Sequence, residues 1–202
     1  MSLRTGRAFA PGGALLSQTP PLSASRAAVV VAATGCGLLT ARPLLVGMGG
    51  AGPAPVLATL FLGLLAVSLL WPGAAAARPG RRAGPVLLVG IGAFALGRVL
   101  AAGSPSVPSA TVFVIGMNTL AAVAEEAFFR RLVYGALLAG GPGLALVGSA
   151  VLFAAVHVTV YGLWVLPLDL AAGLLLGWQR QATGSWTVPA LTHAVANLLV
   201  VV

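Results

Sequence analysis

The amino-acid sequence predicts an all-α fold, a polytopic transmembrane helical bundle of about seven spans, and three observations carry that prediction. Hydrophobic residues make up 59% of the 202 and charged residues only 7%, with a mean hydropathy of +1.04, which lies far from soluble domains. The apolar stretches come in lengths near the ~20 residues that cross a hydrocarbon core, divided by Gly, Pro and Arg. The three acids, Glu125, Glu126 and Asp169, all fall inside such stretches, the reverse of acids placed for solubility. The lipid bilayer is therefore the expected surroundings, in a cell membrane crossed several times.

Residues 1–26, with Arg4, Arg7 and Arg26 among Pro, Ser and Gly, read as a basic, poorly ordered cytoplasmic tail. No cleavable signal peptide is expected, because no short apolar core with a small-residue cleavage site follows the first arginines. N-terminal transmembrane helices are assigned to 27–109. The first span, about 27–47, is interrupted at Arg42-Pro43, and the lone Cys36 is expected to pack there as a small apolar residue. "GMGGAGPAP" makes a turn. The second span, about 55–71, stops at Trp71-Pro72. A loop with Arg78, Arg81 and Arg82 leads to the third span, about 86–102.

The uncharged "GSPSVPS" precedes a C-terminal core assigned to 110–202. Its first helix, about 110–139, ends at the "GGPG" hairpin, where Gly supplies a permissive backbone and Pro halts the helix. Three further spans follow at about 144–160, 163–180 and 187–202. No internal repeat or heptad pattern is present.

The net charge of +8 comes entirely from arginine, since the chain has no lysine. These arginines punctuate apolar runs, so they read as orientation signals and not as a nucleic-acid surface. A cytoplasmic N-terminus places the 73–85 loop, the GGPG hairpin and Arg180 on one side. Arg42 and Arg98 depart from that pattern.

A charge at the bilayer centre costs about 2.5–3.5 kcal/mol on insertion scales, so "AEEAFFRR" needs explaining. Glu126 and Arg130 lie four residues apart on one helix face and are expected to pair. Glu125, turned about 100° away, is left as an unpaired carboxylate to meet another helix. Arg131 reads as a charge at the cytoplasmic end.

The two histidines, His157 and His193, both lie in apolar runs, and Asn197 shares a helix face with His193. Buried polar groups must find one another, and one central site satisfies them together. At ~1.5 Å per residue, Glu125 and His157 both sit ~20 Å from the hairpin end. His193 falls shallower, which the sequence does not explain.

A carboxylate beside an imidazole in a partly dry cavity can act as general base on water. A second imidazole with a carboxamide can donate to a developing oxyanion. Together these describe an amide hydrolase, and no G-x-S-x-G or HExxH pattern competes. From spacing alone, Glu125, His157 and His193 could also hold Zn²⁺. No metal is favoured, because no further carboxylate is left to orient the histidines.

"EEAFFR" (Glu125, Glu126, Arg130) resembles an EExxxR signature, "FAAVH" (Phe153, His157) an FxxxH, and "HAVAN" (His193, Asn197) an HxxxN. In that order, on successive helices, they resemble the CPBP intramembrane proteases, the family of the CAAX prenyl endopeptidase, also called Abi. The resemblance covers about residues 110–202. It implies that Glu125 and His157 activate the attacking water and that His193 and Asn197 form the oxyanion hole. Glu126 and Arg130 would shape the site; Phe153 is expected, on packing grounds, to line it next to His157. The substrate class implied is a membrane-anchored protein or peptide; the Ala/Gly/Arg-rich composition suggests a bacterial source.

Two other functions fit the same helices: a non-catalytic immunity or scaffold protein that binds a peptide or partner, and a proton-coupled transporter relaying through Glu125 and Asp169. For Asp169, a functional role and packing against a backbone donor freed by Pro167 stand open together. Phe128, Phe129, Trp164, Trp178 and Trp186 are expected to face lipid or the interface.

Overall fold

The protein was analysed as a computed structural model, which describes residues 22–48, 50, 52–71, 80, 82–100 and 111–201. Most of the expected tail, the "GSPSVPS" loop and much of the 73–85 loop lie outside the described residues. Among the described residues all regular structure is helical.

Helices α1 (Leu22–Thr40) and α2 (Arg42–Met48) are the expected first span, bent by 59° at its break. Pro43 has no N–H to donate, so the helical ladder is interrupted there. The Thr40 carbonyl instead accepts from Thr159 Oγ1 at 2.9 Å. The bend turns Arg42 toward the interior.

Helices α3 (Pro53–Leu70) and α4 (Ala83–Leu100) match the second and third expected spans within a few residues. The long fourth rod is composite. It begins as α5 (Val112–Glu126), capped by Thr111 Oγ1 accepting from Val114 N at 3.2 Å. It then widens into a π-helical stretch, Ala127–Val133, before α6 (Tyr134–Leu137) and a last tight turn to Gly140. The hairpin forms as expected, with Gly141 at φ 101° and Pro142 opening α7 (Pro142–Tyr161).

Helices α8 (Leu166–Thr183) and α9 (Thr187–Val201) complete the chain. Four rods are long and apolar enough to cross a membrane, Pro53–Leu70, Ala83–Leu100, Val112–Gly140 and Pro142–Tyr161, with the bent α1–α2 pair as a fifth. All seven expected segments are helical, but α8 carries Asp169, Gln179, Arg180 and Gln181 and α9 has only 15 residues. The count of about seven spans is thus supported only as helical rods.

The α5–α6 rod is central, packed against α3, α9, α1 and α7. This corrects the expectation for Phe128 and Phe129, which are both fully buried and not lipid-facing. Phe128 seats its ring against Gly35 of α1 and stacks edge-on with Phe129 at 4.9 Å, which in turn meets Phe153 at 5.4 Å. Trp164 and Trp178 are exposed, in line with the expectation for them. Cys36 is half-buried against the core cluster.

The depth of His193 is also accounted for. Helix α9 starts inside the protein: Ser185 is buried, accepts from Thr187 N at 3.3 Å, and is followed by buried Val188, Pro189 and Ala190. A helix that begins below the surface reaches mid-depth in few residues.

Candidate active site

Glu125 is the last-but-one residue of α5 and only 4% exposed. Its Oε2 stands 3.7 Å from His157 Nε2, so the two residues meet across α5 and α7 as expected. It is not unpaired, however. Arg42 Nη1 lies 3.5 Å from Oε1, brought there by the α1–α2 bend.

Glu126 is fully buried between two cations or potential cations. Arg130 Nε lies 3.2 Å from its Oε2, an ion pair at i,i+4 whose alignment falls short of a hydrogen bond. His193 Nδ1 lies 3.1 Å from Oε1. Arg130, itself fully buried, donates from Nη2 to the Gly173 carbonyl at 3.2 Å and lies over the Phe153 ring at 5.1 Å. The guanidinium therefore ties α5 to α8.

Phe153 sits between the histidines, its ring 4.7 Å from that of His157 and 5.8 Å from that of His193. His157 Nδ1 lies 2.7 Å from the Phe153 carbonyl. A carbonyl only accepts, so Nδ1 carries a proton, and in the neutral tautomer that this bond selects Nε2 is a lone-pair acceptor. Facing it is another acceptor, the Glu125 carboxylate. Two acceptors 3.7 Å apart are satisfied together by one donor molecule that reaches both, and water has the two O–H groups required.

Asn197 makes no hydrogen bond to this pair among the described residues. Its Nδ2 donates to the Asn118 carbonyl at 3.2 Å, and both residues line a cavity of about 540 Å³ together with His157, His193, Asp169 and Tyr161. A second cavity of about 430 Å³ lies on the Arg42 side. An apolar cavity of about 570 Å³ between α1 and α3 contains none of these polar groups.

Sequence reasoning missed Arg42, Asn118 and Tyr161 as neighbours of the site. Arg42 had a signal, since it contradicts the orientation pattern and splits an apolar run. Asn118 had one too, because it and Asn197 are the only asparagines and it lies on the Glu125 face two turns earlier. Tyr161, stacked on His157 at 5.9 Å, had one as well, since it follows His157 by four residues on the same helix face. Asp169 does reach the site, its Oδ2 being 3.7 Å from His157 Nδ1.

One premise about metal binding fails. Carboxylates do stand behind both imidazoles, Glu126 at His193 and Asp169 at His157. Among the described residues no three His, Cys, Asp or Glu side chains converge closely enough to hold a metal ion, and Arg42 and Arg130 already set cations against the carboxylates.

Residues 107–199 match the family model described as Rce1-like, Type II CAAX prenyl endopeptidase Rce1-like. The match contains all three motifs and agrees with the resemblance they carry. No curated protein and no solved structure matches the chain significantly.

Proposed function

We propose that this chain, whose residues 107–199 match the model of the type II CAAX prenyl endopeptidase family, is an intramembrane endopeptidase hydrolysing a peptide bond of a membrane-associated protein or peptide. The observation that supports this best is the Glu125–His157 pair, 3.7 Å apart and poised to share one water, with His157 lining a cavity that also holds Asn118, Asp169, His193 and Asn197. Such a water gives a proton to the pair while its oxygen attacks the substrate carbonyl carbon. The same proton is then delivered to the amide nitrogen as the C–N bond breaks.

His193 and Asn197 are assigned to the oxyanion that forms on the carbonyl oxygen. For His193 this has a chemical condition. Its Nδ1 faces the Glu126 carboxylate, so Nδ1 is the donor there, and an Nε2 donor requires the doubly protonated ring. The charges around the site accommodate this: Glu125 faces Arg42, Glu126 faces Arg130 and Asp169 faces His157, so three carboxylates against two guanidiniums leave one negative charge for an imidazolium to offset. Glu126, Arg130 and Phe153 shape the site by fixing His193 and packing both rings. No metal step is assigned.

Purified protein in detergent or proteoliposomes should cleave a membrane-peptide reporter, and Glu125→Gln or His157→Ala should each lower the rate by about 10²-fold or more. Survival of activity in both variants would refute the reading. Activity should persist after exhaustive chelation; a loss restored by Zn²⁺ would replace the water-activating pair with a metal centre.

A further inference from the structure

We propose that the cavity of about 430 Å³ beside Arg42 is an anion subsite, in which the guanidinium holds a carboxylate of the bound peptide. The inference rests on the peptidase reading above and adds to it a residue outside the family match. The carboxylate is either the chain terminus or an acidic side chain.

The Arg42 side chain is 11% exposed and touches Glu125 through Nη1 alone, at 3.5 Å. Its Nε and Nη2 are buried with no partner among the described residues. These two nitrogens form one edge of the planar guanidinium, the edge that binds a carboxylate with two parallel hydrogen bonds. Buried donors left unmade cost about 1–3 kcal/mol each, so this edge needs an acceptor. Phe61, 5.9 Å from Arg42 Cζ, supports the guanidinium from the side without satisfying it.

Position gives the edge its meaning. Arg42 meets Oε1 of Glu125 and His157 faces Oε2, so a group on Arg42 lies to one side of the atoms assigned to water activation. Asn118 and Tyr161 border both cavities, which makes them the threshold a peptide crosses on passing from one to the other. The two cavities differ in sign. Asp169, with its Oδ2 buried and unpartnered, lines the larger one and repels an anion there. The pair of cavities thus sets the direction in which a peptide lies.

The test uses a fluorescence-quenched prenylated peptide ending in a CAAX sequence, made as the free acid, as the C-terminal amide, and as the amide with Asp at the last position. Wild-type protein should favour the free acid or the Asp peptide over the plain amide by about tenfold or more in kcat/KM, and whichever is favoured identifies the source of the carboxylate. Arg42→Gln should abolish the preference and Arg42→Lys should keep part of it. Equal cleavage of acid and amide by the wild type, or a preference that survives Arg42→Gln, overturns the subsite. A uniform slowing of all three peptides in Arg42→Gln also overturns it, because that is what a residue acting only through Glu125 would do. Equilibrium binding of the same peptides separates the two levels: acid-selective binding that depends on Arg42 without any turnover would sustain the subsite and sink the peptidase reading.

Discussion

Glu125 and Glu126 are chemically identical neighbours whose surroundings assign them different work. Glu126 stands between Arg130 and His193, all three in the protein interior. Glu126→Gln removes the negative charge in contact with a fully buried guanidinium, and breaking such a pair costs about 3–5 kcal/mol. Thermal unfolding in detergent should show that loss together with lost activity. Glu125→Gln is expected to behave otherwise, because the amide oxygen still accepts from Arg42 Nη1; the protein should unfold near the wild-type temperature and fail only in turnover. The i,i+4 pair was legible in the sequence because helical spacing alone specifies it. The Arg42 contact spans 83 positions and arises from a bend, which no local pattern encodes.

At the scale of helices, the sequence announced breaks and hairpins through Pro and Gly but not the geometry they produce. The Arg42-Pro43 break was readable; its 59° bend was not, because it depends on Thr159 catching the Thr40 carbonyl from another helix. Pro43→Ala should let α1 and α2 straighten, drawing Arg42 from Glu125 and lowering kcat/KM while leaving the folded state stable. The widening at Ala127–Val133 was equally hidden. No Pro or Gly marks it, and it lets Phe128, Phe129, Arg130 and Leu132 all point into protein. The α7–α8 contact depends on small residues in turn: a Cβ on Gly173 would stand 3.0 Å from Ala150 Cα. Since the Gly173 carbonyl also accepts from Arg130, Gly173→Ala should destabilise the protein by about 1–3 kcal/mol and reduce activity, as read by thermal unfolding and reporter cleavage.

For the whole molecule, two arginine caps define which ends share a side. Arg131 donates to the Ser68 and Trp71 carbonyls at the end of α3, so that end and the GGPG hairpin lie together. Arg98 donates to the Leu199 carbonyl at 3.1 Å, joining the ends of α4 and α9 on the other side. This accounts for Arg98 as a helix cap and not an orientation signal. With Cys36 replaced, Ala139→Cys should be labelled by an impermeant maleimide only from the cytoplasm, and Leu163→Cys only from the opposite face. The rods and their order were legible in the apolar runs, whereas the relative depth of His193 was not, because α9 begins within the protein. All three carboxylate side chains of the chain stand at the site with Arg42 and Arg130, and the sequence holds nine further arginines. No other side chain in the sequence is acidic, so the remaining charged side chains are all arginines. Acidic phospholipid headgroups are then its natural counter-ions, so its thermal stability should rise with the phosphatidylglycerol fraction of the vesicle and fall as added salt competes for the same charges.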